Sequence, residues 1–399
     1  MTVNLQNLRH NWQLFRRTCG AAEVTGVVKA NGYGCGLIPV ARALVAEGCR
    51  TFFVAHLHEG IALRKMNPSI SIYALHAMPS GAAGVYRQHR ILPVLTSMAQ
   101  IKEWADAADD TTMEKAAIHV CTGMNRSGIP ATEIGDIKAA VAAAPARFGL
   151  LLSHFACADE SVGWRNDAQL AVFRKVRQEF PALRATLANT SGCLRLPDAH
   201  FDMVRPGIGL YGGNPFPSRS NPFRPVVALR APVIEIRRAR AGAYVGYGND
   251  FCLKADTTLA LLSIGYADGL PRQLSSGAAK AVSFFYDGHP LPVTGRVSMD
   301  LTVVTVPDRL TDALHINDPV EIIGPHQSLD DLAGHLGTIP NEVITSFGNR
   351  VDRVYCTQHA ALPRTAGAGR CAPLGLTSIN SVTGFGRAGK TGKREGAGT

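Results

Sequence analysis

The chain has 399 residues, 46% hydrophobic and 18% charged, which suffices for a large core and for two domains. No apolar run approaches the ~18 residues needed to cross a bilayer, and "MTVNLQNLRHNWQLFRR" at the start reads as a polar helix without a signal-peptide core. Nine scattered cysteines without C-x-x-C spacing point to reduced thiols in the cytoplasm, and a net charge of +10, half of it contributed from Arg364 onward, lacks the aromatic-interleaved stripe of a nucleic-acid binder.

Along the chain, short β-branched runs alternate with amphipathic segments up to about residue 212. The strand candidates are "EVTGVVK", "TFFVAHL", "SIYALHA", "ILPVLT", "AAIHVCT", "GLLLSHF", "ATLANT" and "MVRPGIGLYG". Helical patterns such as "EGIALRKM", "EIGDIKAAVAAA" and "DAQLAVFRKVRQEF" lie between them. Eight strand–helix units over this length predict a (β/α)8 barrel of the TIM type, residues 1–225. A doubly wound sheet competes, but no G-x-G-x-x-G follows the first strand. From Val226 the pattern changes to strand runs parted by Gly, Pro and Asp, which predicts a separate β-rich domain over 226–362. Within it "SLDDLAGHLG" begins a helix with Ser328 as N-cap and Asp331 three residues on, and "RVYC" reads as a closing strand. The segment 363–399, rich in Gly, Ala, Ser and Thr without periodicity, reads as a disordered tail.

Chemistry in such a barrel gathers at the C-terminal ends of the strands. Those ends carry Lys29, Arg126, His154, Asn189 with Thr190, and Arg205 with Gly207. Lys29, in "VVKANGYGCG", follows an apolar strand and precedes a turn-rich loop. Alone it reads first as a snorkelling strand-end cation and only second as a desolvated amine nucleophile. The loops after strands seven and eight form the usual phosphate site of these barrels. They offer the Thr190 hydroxyl and backbone N–H groups at Gly207 and Ile208. A buried amine beside a phosphate cradle points to pyridoxal 5'-phosphate carried on Lys29.

The motifs "VVKANGYGCG", "TGMNRSG", "SHFACADE", "ANTSG", "MVRPGIGLYG", "VGYG", "IGYADG" and "GRVSMD" occur in one order, and together they resemble the alanine racemase family. The resemblance runs from near the N-terminus to about Tyr355. It implies a homodimer with shared active sites that interconverts L-alanine and D-alanine and supplies D-alanine for peptidoglycan. It further implies that Lys29, Tyr33, Asn189, Thr190, Arg205, Gly207 and Ile208 hold the cofactor. Lys29 and Tyr247 would be bases on opposite faces of the α-carbon, Tyr247 coming from the partner and supported by His154, itself linked to Arg205. Arg126 and the Met299 N–H would hold the substrate carboxylate, Tyr266 would line the entrance, and no metal is implied. Related decarboxylases, metal-dependent D-amino-acid aldolases and single-barrel cofactor carriers fit less well. The aldolase ligand cluster is missing near the C-terminus, and the carriers lack the β-domain.

Four positions depart from the family pattern. His119 and Cys121 stand where Lys and Asp are common, the lysine often carbamylated as a prop for the arginine matching Arg126. Cys35 stands where histidine is common. Asn341, in "GTIPNEV", replaces a tyrosine, which enlarges the pocket and favours serine as a second substrate.

Overall fold

The computed structural model describes residues 1–107, 115–160, 163–276 and 282–357; the tail expected at 363–399 lies outside the described residues. Eight parallel strands form the barrel. The first is broken into Glu23–Val24 and Gly26–Val27, and the others are Thr51–Val54, Ser71–Ala74, Leu92–Leu95, Ala116–Cys121, Phe148–Leu152, Arg184–Thr186 and Met203–Val204. All eight fall on the runs expected from the sequence. Thr51–Val54 and Leu92–Leu95 are buried at every residue, as strands covered on both faces must be.

The break in the first strand is what closes the barrel. Val24 pairs with Val204 of the eighth strand, whereas Gly26 and Val27 pair with Phe52 and Phe53 of the second. Thr25 sits between the two registers and spends both its N–H (3.1 Å) and its hydroxyl (2.9 Å) on the Val204 carbonyl. Its polar groups are thereby satisfied where neither neighbour supplies a regular ladder.

The β-domain is built on one long strand, Val227–Ala239, paired with Thr257–Leu262 on one stretch and Pro319–Ile323 on the other. The capping box foreseen at Ser328 and Asp331 forms with bonds of 3.0 and 2.9 Å at the head of helix Leu329–Leu336. A second helix here, Pro340–Ser346, is not evident in the sequence pattern.

The opening residues also differ from the polar helix expected of them. Thr2–Asn4 form a strand of the second sheet, antiparallel to Val227 and Ala228 and parallel to Val354–Cys356. The helix begins only at Leu5, where the Asn4 side chain accepts from Asn7 N–H at 2.9 Å. It runs to Thr18 and buries Leu5, Leu8, Trp12 and Phe15 on one stripe, so it is amphipathic rather than polar. The start of the chain therefore joins the barrel to the β-domain sheet. Val3 is fully buried at this junction. Val3→Ala is expected to lower stability by about 2 kcal/mol, read as a fall in the urea midpoint with an unchanged slope.

Candidate active site

Lys29 ends the first barrel strand, and the backbone that follows is unusual. Ala30, Asn31, Gly32, Tyr33 and Gly34 have φ of 55, 55, 62, 51 and 76°, a left-handed helical turn closed by Gly32 N–H to Val28 O and Gly34 N–H to Ala30 O, each 2.9 Å. Left-handed backbone costs roughly 1–2 kcal/mol per residue with a Cβ, so Ala30 and Tyr33 are held there by their surroundings. The Arg353 Nε–H donates to Gly34 O at 2.6 Å, and the Asn31 side-chain oxygen accepts from Leu37 N–H at 2.9 Å.

The turn delivers Tyr33 to the eighth strand. Its ring stacks on Tyr211, centroids 4.5 Å apart, and a Cβ added to Gly207 would lie 2.4 Å from its hydroxyl oxygen. Only glycine fits there. Thr190 Oγ accepts from Gly207 N–H (2.9 Å) and Gly209 N–H (3.4 Å), which leaves its own proton to donate. Burial pushes the Tyr33 phenol up to about 12, so it too remains a neutral donor. Ile208 opens a 3-10 turn and its N–H has no acceptor within that turn. Two hydroxyls and a backbone N–H beside a glycine make a cradle that suits a phosphate group. Asn189 has a different occupation: its side chain caps helix Thr190–Arg195 by accepting from Gly192 N–H at 2.9 Å.

Arg205, following the eighth strand, is buried. Its Nε–H donates to Thr186 Oγ (3.1 Å), and Nη2 donates to the Leu187 carbonyl (3.2 Å) and, more closely, to Ser153 O. Nη1 lies 3.3 Å from His154 Nδ1. Four of five N–H groups are thus committed, and one on Nη1 stays available for an acceptor such as a pyridine nitrogen. Burial lowers the guanidinium to about 10, which leaves it charged at neutral pH.

Lys29 sits among like charges. Burial, then Arg126 and Arg205, hold its ammonium below the usual lysine range. His154 is kept well below the usual histidine range by burial and by Arg205, Arg126 and Lys29. A neutral ring that accepts from Arg205 at Nδ1 carries its proton on Nε2. His119 is likewise pushed down to about 4 by burial, Arg205 and Arg126. It packs beneath the Arg126 loop, its Cδ2 3.0 Å from where a Cβ on Gly128 would stand. Cys121 Sγ accepts the Asn125 N–H at 3.2 Å and so ties that loop to the fifth strand. Arg126 itself is exposed beside an open cavity of about 470 Å³. His119 and Cys121 therefore stand at the expected prop position as packing and loop anchors, and His119 carries no charge there at neutral pH.

The β-domain contributes in two ways. Helix Pro340–Ser346 packs on the left-handed turn, where a Cβ on Gly34 would lie 2.5 Å from Ile344 O, and Asn341 in its first turn is half-buried. Tyr247, Tyr266 and Met299, by contrast, are 70%, 43% and 53% exposed. Tyr266 N–H donates to Ser298 O (3.0 Å) and Ala267 N–H to Met299 O (2.9 Å), which joins two of these loops. Gly248 of the Tyr247 loop abuts the Arg296 guanidinium. Among the described residues no hydrogen bond, ring contact or charge interaction connects these three to Lys29, Arg126 or Arg205. Thr186, the Ser153 carbonyl and Tyr211 also belong to the site, holding Arg205 and Tyr33; of these only the Thr186 hydroxyl, at a strand end, and the Tyr211 ring leave a signal in the sequence.

Known proteins match the chain along most of its length. Residues 3–215 match the family model "Alanine racemase, N-terminal domain", and residues 226–355 match "Alanine racemase, C-terminal domain". A protein of Methylobacterium nodulans named alanine racemase is 40% identical over 356 residues, covering 89% of this chain and 95% of its own length. One from Mesorhizobium japonicum, named a catabolic alanine racemase, is 40% identical over 361 residues, covering 89% and 92%. The crystal structure of alanine racemase from Bartonella henselae with covalently bound pyridoxal phosphate superposes with a TM-score of 0.84 at 35% identity, covering 89% of this chain and 98% of that one.

Two outcomes follow from the site geometry. In the unfolded chain histidine takes a proton near pH 6.5, but His119 in the fold does so only near 4, and His154 also resists protonation. The folded state then binds fewer protons across this window, so stability falls as pH drops from about 6.5 to about 4. His119→Asn should flatten that fall in a series of melting temperatures. Gly207→Ala, which forces a Cβ against Tyr33, should weaken loading of pyridoxal phosphate at least about tenfold in a spectroscopic titration, about 1.4 kcal/mol.

Proposed function

The chain belongs to the alanine racemase family, and from that premise we propose that it is a pyridoxal-phosphate-dependent isomerase that interconverts L-alanine and D-alanine as a homodimer with shared sites. The observation that carries the reading is one rim of the barrel bearing both a depressed lysine amine and a phosphate cradle of Tyr33, Thr190, Gly207 and Ile208. Bound there, pyridoxal phosphate supplies an electron-withdrawing ring that acidifies the α-hydrogen of an attached amino acid.

The protein's own groups do the rest. Racemisation needs a proton acceptor and donor on each face of the α-carbon. Lys29 Nζ serves one face, and its lowered pKa keeps a larger neutral share able to take a proton near pH 7. Tyr247 serves the other. Its exposure on the single chain, together with that of Tyr266 and Met299, supports a partner subunit as the provider of the second face. His154 Nε2–H would donate to the oxygen of Tyr247 from the partner subunit and support its phenolate, while Arg205 fixes the imidazole tautomer. Arg205 would offer its remaining Nη1 N–H to the ring nitrogen of bound cofactor without giving up a proton, which would disfavour decarboxylation and transamination. Arg126 and the Met299 N–H hold the substrate carboxylate.

The equilibrium between enantiomers is symmetric, so the same chemistry serves synthesis and breakdown of D-alanine. We assign the supply of D-alanine for peptidoglycan, in the cytoplasm, where the eight described cysteines, all free thiols, are at home. Asn341 supports serine as a second substrate: its amide can pair with a hydroxyl where a methyl gains nothing.

Mixing inactive Lys29→Ala and Tyr247→Phe subunits tests the shared site. Random exchange should recover about a quarter of the wild-type rate, since half of the dimers are mixed and each has one intact site. No recovery after demonstrated exchange would refute it. Asn341→Tyr should lower the serine-to-alanine ratio of kcat/KM several-fold, about 1 kcal/mol for the lost hydrogen bond.

A further inference from the structure

Glu59 stands outside the mechanism above, yet it faces the catalytic lysine's loop. It is the third residue of helix Leu57–Met66, after the second barrel strand, and is only 7% exposed. Its Oε2 accepts from Ala55 N–H (2.8 Å) and His56 N–H (3.1 Å), an N-terminal cap for its own helix. Its Oε1 turns the other way and accepts from Asn31 N–H at 3.3 Å. Asn31 lies two residues past Lys29, inside the left-handed turn. One buried carboxylate therefore joins the second βα loop to the first, at the strained backbone that aims Lys29.

We propose that Glu59 is a positioning residue for the racemase reaction, holding the left-handed turn at Asn31 so that the Lys29 amine faces the substrate and giving that amine its anionic neighbour. The proposal rests on the functional reading above.

A carboxylate is required on two grounds. Three N–H groups converge on it from two loops, and all three need acceptors. A glutamine has one oxygen, so its NH2 would confront at least one of those donors and leave it unpaired. The second ground is charge. Lys29 is faced by Arg126 from the fifth-strand loop, Arg205 from the eighth strand and His154 from the sixth, the last held neutral. Glu59 is the group that acts in the opposite direction, favouring the ammonium. An amine that must return a proton as well as take one needs this counterweight, because burial and the neighbouring positive charges favour its deprotonated form.

The two roles separate experimentally. In the holoenzyme, Glu59→Gln keeps the shape and loses the charge and one acceptor. Amide exchange at Asn31 should quicken about fivefold or more, because its acceptor is lost. The pH midpoint of the bound cofactor's visible absorbance, and the acidic limb of kcat/KM with it, should move down by about one pH unit, the size expected for removing one charge a few ångströms away. Glu59→Asp keeps the charge but is one methylene short of bridging both loops. It should quicken exchange at Asn31 and leave the midpoint in place, and it serves alone if the glutamine variant does not fold. Unchanged exchange in the variants overturns the anchor. With the cofactor mapped to Lys29 by peptide analysis, an unmoved midpoint in Glu59→Gln, or a midpoint in Glu59→Asp that falls by a full unit, overturns the charge role. If the cofactor maps to another lysine, the functional reading fails, and exchange at Asn31 alone decides whether Glu59 anchors the turn.

Discussion

The cationic crowding of one amine organises this molecule. Burial depresses the Lys29 amine most, and Arg126 and Arg205, which share the barrel with it, add to that effect. Burial, and then that positive potential, holds both nearby histidines neutral. The site also prefers anionic occupants: a phosphate, a carboxylate, a phenolate. Each of these is what the proposed reaction brings. The buried Arg205 is tolerable only because two carbonyls, a hydroxyl and an imidazole nitrogen receive its N–H groups. The same network sets the histidine tautomer, so one satisfied charge determines what a second group can donate.

The fold converts this electrostatics into geometry. Breaking the first strand at Thr25 lets a short segment close the barrel on both sides, and the left-handed turn after Lys29 then swings Tyr33 back to Gly207. Strain in that turn is held by neighbours on every side: Leu37 through the Asn31 side chain, Arg353 and helix Pro340–Ser346 from the β-domain. The β-domain is thus part of the site on two counts. It clamps the cofactor loop of its own chain and presents Tyr247, Tyr266 and Met299 outward.

Much of this was legible in the sequence, for identifiable reasons. Barrel strands are buried on both faces, so they read as continuous apolar runs, and all eight were found. Residues at strand ends could be lined up on one rim because that topology leaves few choices, and Lys29, Arg126, His154, Thr190 and Arg205 do converge there. Thr2–Asn4 escaped notice because three residues carry no period; only their distant partners Val227 and Val354 make them a strand. The left-handed turn was hidden because Ala30 and Tyr33 have no preference for that backbone, which tertiary contacts impose. Asn189 is a case where the family-based expectation and local chemistry differ. An Asn before a helix is a cap first, and its side-chain oxygen is already engaged. His119 was legible as a departure, but its role as neutral packing under Gly128 required the coordinates.

The most direct test of the account is chemical identification of the amine that carries the cofactor. The protein loaded with pyridoxal phosphate is reduced with borohydride, digested, and its labelled peptide sequenced by mass spectrometry. The account predicts a single labelled site at Lys29, with labelling lost in Lys29→Ala. Label on any other lysine, or unchanged labelling of the Lys29→Ala protein, would contradict it.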